Sequence, residues 1–258
     1  TEEVRELRRR ASLIIDEVID TTRFSLDLEP VVDLRGGEQV GVGVRASIVD
    51  ELPIPGADWF SVARALGFGN RLELAALRHC LSVARMLPGN QFASVRVSPA
   101  LSTDAILRGV LAEHDVSRVV LEVAPADPAE AAQIDELAFG ALRTTSGLRI
   151  SLQLHELALA IEPLLTWRPD VVVLPQALCD GIYDDELRRA LIRALTTFAS
   201  DTGTTLHAAG VNDRNEADLL WALGVTWASG PLFSDRPPNH AVGPEAATDL
   251  GSILSAVP

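Results

Sequence analysis

Residues 92–123 read FASVRVSPALSTDAILRGVLAEHDVSRVVLEV. The first six residues, Phe92 to Val97, and the last six, Arg118 to Val123, form Val-rich runs of strand length, and residues 104–114 between them place apolar side chains on one stripe of a helix. A strand, a crossover helix and a second strand within ~30 residues make a βαβ unit, whose two strands run parallel in one sheet. The pattern repeats outward from this unit. Downstream, strands fit Arg149–Leu154, Asp170–Leu174, Thr204–Ala209 and Val225–Ala228, and helices fit 128–144, 156–167, 183–202 and 213–223. Upstream, helices 58–67 and 70–87 follow two alternating strands, Ser25–Leu34 and Gln39–Ile48, joined around the hairpin turn Arg35-Gly36-Gly37. A charged opening helix, Glu2–Ile19, carries Leu7, Ala11, Ile14, Ile15 and Val18 at helical spacing.

Eight strands, most of them alternating with helices, predict an α/β fold: a TIM-like (β/α)8 barrel with one antiparallel strand near the start. A doubly wound sheet is the alternative. The 258 residues are 47% hydrophobic and no Pro/Gly/Ser-rich stretch divides them, so residues 21–258 are expected to form a single barrel domain. Residues 1–20 either cap that domain or continue a signalling linker, and a start at Thr1 rather than Met is what an excised domain or a tag-trimmed chain is expected to show.

Composition excludes several chemistries. A net charge of −14 repels nucleic-acid backbones and anionic membrane, so neither is expected as a partner. All 22 basic residues are arginine, which rules out a Schiff-base or Walker lysine. Cys80 and Cys179 match no metal spacing and read as buried reduced thiols. No apolar run approaches the ~20 residues of a membrane span and no signal peptide precedes the first charges, which predicts a cytoplasmic location. Gly67-Phe68-Gly69 begins like a phosphate-binding glycine loop but follows a helix and has Leu72 at the third glycine. Ser98 has no histidine partner nearby in the sequence for a nucleophilic triad.

Segments spread over nearly the whole chain carry a family resemblance. Glu29-Pro30-Val31-Val32-Asp33-Leu34, Gly41-Val42, Val97-Ser98-Pro99, Val120-Leu121-Glu122-Val123, Arg168-Pro169-Asp170-Val171-Val172, Ala208-Ala209-Gly210-Val211, and Ser229-Gly230-Pro231-Leu232-Phe233 with Arg236-Pro237 follow one another in the order and spacing of the scaffold motifs of EAL domains. The sequence therefore resembles a degenerate EAL domain, of the cyclic di-GMP phosphodiesterase family. The resemblance implies a barrel of the EAL type and a pocket at the carboxyl ends of its strands. In active members, carboxylates and one asparagine there hold divalent metals that activate a water, because hard oxygen ligands suit Mg²⁺ or Mn²⁺ and a metal lowers the pKa of its water.

Carried over residue by residue, those positions are changed here. The name-giving tripeptide reads Gly43-Val44-Arg45, which removes the glutamate and adds a cation. The asparagine position is Arg96, and Glu122 is retained but followed by Ala124-Pro125. The paired aspartates fall among Leu152, Gln153 and Leu154. Val173 and Pro175 take the places of the lysine and aspartate of KxD, Ala209 and Asn212 replace two glutamates, and Ser229 replaces the closing glutamine. One retained ligand cannot hold a metal pair, so no metal, no cofactor and no phosphodiester hydrolysis are expected. Glu122 is either a residual ligand contact or one half of a buried ion pair with Arg96, which takes the place of the lost cation; the ion pair is the expectation.

His155, His207 and Glu122 offer a two-His, one-carboxylate alternative, against which His207 reads as a satisfied histidine of the barrel interior. His79, His114 and His240 suggest no chemistry. Glu29 and Ser47 stand where nucleotide-contacting residues belong, which argues against cyclic di-GMP as a ligand, although Arg45 and Arg96 make the mouth locally positive. The remaining expectation is a regulatory module that contacts another protein, and the resemblance implies a homodimer through Gln176 to Ala199. A non-hydrolysing nucleotide receptor is the second reading. Trp59-Phe60, Trp167 and Trp221 are either interface anchors or core packing.

Overall fold

The computed structural model describes residues 2–48, 58–102, 104–125, 147–154 and 161–234, together with Glu130, Gly140, Arg143 and Thr144. Eight strands close a barrel in chain order: β1 (Phe24–Asp33), β2 (Gln39–Ile48), β3 (Phe92–Val97), β4 (Val119–Val123), β5 (Arg149–Gln153), β6 (Val171–Leu174), β7 (Thr205–Ala208) and β8 (Trp227–Ala228). β1 runs antiparallel to both of its neighbours, β2 and β8, and every other pair is parallel. The early hairpin creates this exception. Its turn closes when Gly37 N–H donates to Asp33 O at 2.8 Å and Arg35 N–H donates to the Asp33 carboxylate at 2.7 Å, with Gly37 at φ 73°. A register shift between Val31 and Val32 bends β1 so that one edge pairs with β2 and the other reaches β8.

Alternation along each strand builds two cores from the same strands. Outward-facing Val95, Leu121, Leu152, Val172 and Leu206 pack under the helices in the largest apolar cluster. Inward-facing Val31, Phe92, Val120, Val171 and Val173 form a separate cluster in the lumen. At the amino ends of the strands Phe92 stacks on Trp227 with ring centroids 4.8 Å apart, and the Arg149 guanidinium lies 4.8 Å over the Phe92 ring. Gly41 makes room for this floor, since a Cβ there would lie 2.8 Å from the Phe92 ring.

The helices follow the sequence stripes with ends that differ by at most three residues: 59–65, 69–84, 105–112, 186–202 and 214–222. Helix 2–21 buries Ala11, Ile15 and Val18 against Phe24, Trp59, Val62 and Leu72, so its second half caps one side of the barrel. Burying one such Ile is worth roughly 1.5–3 kcal/mol. Two four-residue helices, 99–102 and 176–179, and a 3₁₀ turn at 231–233 were not legible, because four residues do not complete a period. Most of the helix expected at 128–144, the start of that at 156–167, and His155, His240 and Arg236-Pro237 lie outside the described residues. Cys80 and Cys179 are buried and unpaired. No described helix is long and apolar enough to cross a membrane.

Candidate functional site

The carboxyl ends of the strands bring together the inward-facing residues that follow the apolar lumen layer. Register sets Arg96 on β3 directly beside Glu122 on β4. Arg96 Nε donates to Glu122 Oε1 at 2.7 Å and Nη2 lies 2.5 Å from the same oxygen, while Nη2 also donates to Gln153 Oε1 on β5. The Glu122 side chain is 9% exposed and that of Arg96 39%. A largely dry carboxylate is thus neutralised by a guanidinium whose other side reaches the entrance, a charge-assisted arrangement that orders three adjacent strands.

A second group lies across the mouth. Arg45 on β2 stands 3.8 Å from Glu29 on β1. Burial pushes the Glu29 carboxyl above its ordinary range, the Arg45 charge and a hydrogen bond with Ser229 pull it back, and the nearby Glu122 adds to the rise. The antiparallel register places Asp27 opposite Arg45, yet the ion pair goes to Glu29 two residues along, the next inward-facing position of β1. Sequence reading treated Glu29 only as a replaced contact; its charge role follows from the hairpin register.

His207 on β7 occupies the lumen as expected, but it is not a satisfied histidine. Its Nε2 is buried with no hydrogen-bond partner among the described residues, and the Ser151 hydroxyl on β5 shares that condition. Burial lowers its pKa to about 4 against the opposing attraction of Glu122, with Arg45 lowering it further. The imidazole is therefore neutral near pH 7.

The other expected pocket residues divide by position. Gly43, opposite Glu29, leaves ordinary contact distance for a Cβ, with Glu29 atoms at 3.7–3.9 Å. Val173 is buried beside Gln153 and His207 in the register, and Ser229 is buried with its N–H bonded to Ala208 O at 2.9 Å. Ala209 donates its N–H to Leu174 O at 3.0 Å. Pro175 and Asn212 stand just before helices: Pro175 precedes helix 176–179, and exposed Asn212 donates its backbone N–H to Glu216 on helix 214–222 at 2.9 Å.

These residues do not fit a pair of divalent ions. A hard dication takes six or more oxygens. Here Glu122 is held by Arg96, the Gln153 carboxamide oxygen is spent on the same guanidinium, and Gly43, Val173 and Ala209 offer no side-chain donor. Among the described residues no three His, Cys, Asp or Glu side chains converge as a metal site.

Comparison with known proteins agrees with this architecture. The Listeria monocytogenes EGD-e EAL domain protein superposes with a TM-score of 0.76 at 17% identity, over 93% of this chain and 96% of that one. The Xanthomonas citri FimX EAL domain, in complex with cyclic di-GMP, gives 0.76 at 16% identity over 92% and 99%. Klebsiella pneumoniae BlrP1 in its manganese and cyclic di-GMP complex gives 0.71 at 19% identity over 86% and 57%. No curated protein matches the sequence. The likeness to solved structures carries the fold, and the EAL domain profile matches residues 11–236, nearly the whole barrel, so the chain belongs to the EAL domain family.

Proposed function

We propose that this EAL domain is a catalytically silent regulatory module of cyclic di-GMP signalling that acts by contact with another protein. The observation that carries the reading is the Arg96–Glu122–Gln153 network: a guanidinium occupies the coordination space of the one carboxylate retained from the family's ligand set. A fixed cation can neutralise Glu122 as a metal would, but it has no water to ionise, so the mouth keeps its electrostatic balance without a nucleophile. The mouth's two arginines, Arg45 and Arg96, are matched by Glu29 and Glu122, which leaves little net attraction for a dianionic nucleotide.

Protein contact is supported by exposed apolar side chains: Leu187 on helix 186–202 is 82% exposed, Tyr183 just before it 40%, and Trp221 on helix 214–222 41%. Arg189 donates to Ile182 O at 2.9 Å and to Tyr183 O, which holds the preceding loop in shape for a partner or a second copy. Trp59 and Trp167 are core residues instead, at 8% and 4% exposure.

The test is calorimetric titration with cyclic di-GMP in buffers with and without Mg²⁺ and Mn²⁺, with product analysis after incubation. The expected result is no heat and no linear dinucleotide, and hydrolysis would overturn the reading. A second reading, a non-hydrolysing receptor, is favoured by the 46% and 39% exposure of the Arg45 and Arg96 side chains at the entrance. Micromolar binding that Glu122→Ala weakens would select it.

A further inference from the structure

Beside the mouth, and outside the lumen, a cavity of about 420 Å³ opens between strands β2 and β3 and helices 59–65 and 69–84. Protein interiors rarely leave voids larger than a water molecule, and this volume falls within the ~300–1,000 Å³ of small-molecule sites. Its origin is local in sequence. Ala46 on β2 and Ala76 and Cys80 on helix 69–84 all face the gap with small side chains, and Phe60 and Leu77 supply an apolar wall. The Cys80 thiol is pushed up to about 12 by burial, so it adds apolar surface rather than a nucleophile.

The polar groups are few and grouped. Glu73 accepts the Ser98 hydroxyl at 2.7 Å and the Ser98 N–H, and burial pushes its carboxyl above the ordinary range, favouring the neutral form. Glu130 also lines the space. Arg45 and Arg96 touch its edge but are committed to Glu29 and Glu122. Arg64, exposed on helix 59–65, forms no ion pair among the described residues, although its charge lowers the Asp58 and Glu73 carboxyls, so its guanidinium is available to an anion at the rim.

We propose that this cavity is a binding site for a small amphipathic anion, an apolar body seated between Ala46, Ala76 and Leu77 with a carboxylate or sulfonate head against Arg64. The site stands apart from the regulatory reading above, since Val44, Ala46 and Val97 line it from the opposite face of β2 and β3 to Gly43 and Ser94, and it meets the mouth only at Arg45 and Arg96.

The probe is 1-anilinonaphthalene-8-sulfonate, titrated by fluorescence into the folded domain, with near-ultraviolet circular dichroism confirming native packing. One saturable micromolar site is expected. Ala46→Leu fills the gap and should weaken binding at least ten-fold, and Arg64→Gln should weaken it about ten-fold with an unchanged melting temperature. Decanoate should displace the probe and decanol at equal concentration should not. Non-saturable binding, affinity indifferent to both Ala46→Leu and Arg64→Gln, or equal displacement by decanol would overturn the proposal. If Ala46→Leu fails to fold, Arg64→Gln and the competition pair decide it.

Discussion

The two faces of a single strand make the most telling comparison in this molecule. On β4, Val119, Leu121 and Val123 point outward into the helix-covered core, while Val120 and Glu122 point into the lumen. The outward set is apolar and indifferent to chemistry; the inward set begins apolar at the floor and ends charged at the mouth. Neighbours in sequence therefore answer to different constraints, and the mouth can be rewritten one alternate residue at a time without disturbing the layer that holds the barrel together.

The largest expected effect falls on the outward face. Leu121→Ala, at a fully buried position, should cost about 3–4 kcal/mol in urea unfolding. A loss under about 1 kcal/mol would mean that this layer is not the dominant support.

The lumen should show itself next, through pH. The unfolded His207 takes a proton near pH 6.5, but the folded one resists until about pH 4. Folding therefore loses stability as pH falls from about 6.5 toward 4, by at most about 3 kcal/mol, and gains nothing from this group above that window. Glu29 and Glu73, whose folded carboxyls are raised, act in the opposite sense by stabilising the fold as pH falls through their folded values. Subtracting the profile of His207→Gln isolates the histidine, and superimposable profiles would remove the effect.

At the mouth, Arg96→Ala should destabilise by about 2 kcal/mol because it strands a buried carboxylate, and the double change with Glu122→Gln should be less damaging than the single one. Simple additivity would break the account of Arg96 as a stand-in cation. The smallest effect belongs to the outer rim, where Arg45→Gln should shift stability by less than about 1 kcal/mol, since the 3.8 Å pair with Glu29 is half solvated.

The same division explains what the sequence disclosed. Period-two and helical stripes report the outward face, so the eight strands, the hairpin exception and most helices were readable. The Arg96–Glu122 pair was readable too, because both residues sit at matching heights of neighbouring parallel strands. Gln153 as the third member depends on side-chain reach, Arg45 with Glu29 depends on the hairpin register, and the unpartnered state of His207 depends on what every other strand contributes to its layer. The cavity was invisible for a related reason: Ala46, Ala76 and Cys80 are ordinary residues until two elements place them face to face.

The Phe92–Trp227–Arg149 stack, made possible by Gly41, has a consequence for traffic. It turns the barrel into a blind tube, stoppered at one end. The end left open to His207 is the one where Arg45, Glu29, Arg96 and Glu122 stand. A change of charge at that doorway therefore reaches the histidine, 9% exposed behind it, because Glu122 favours its proton and Arg45 opposes it.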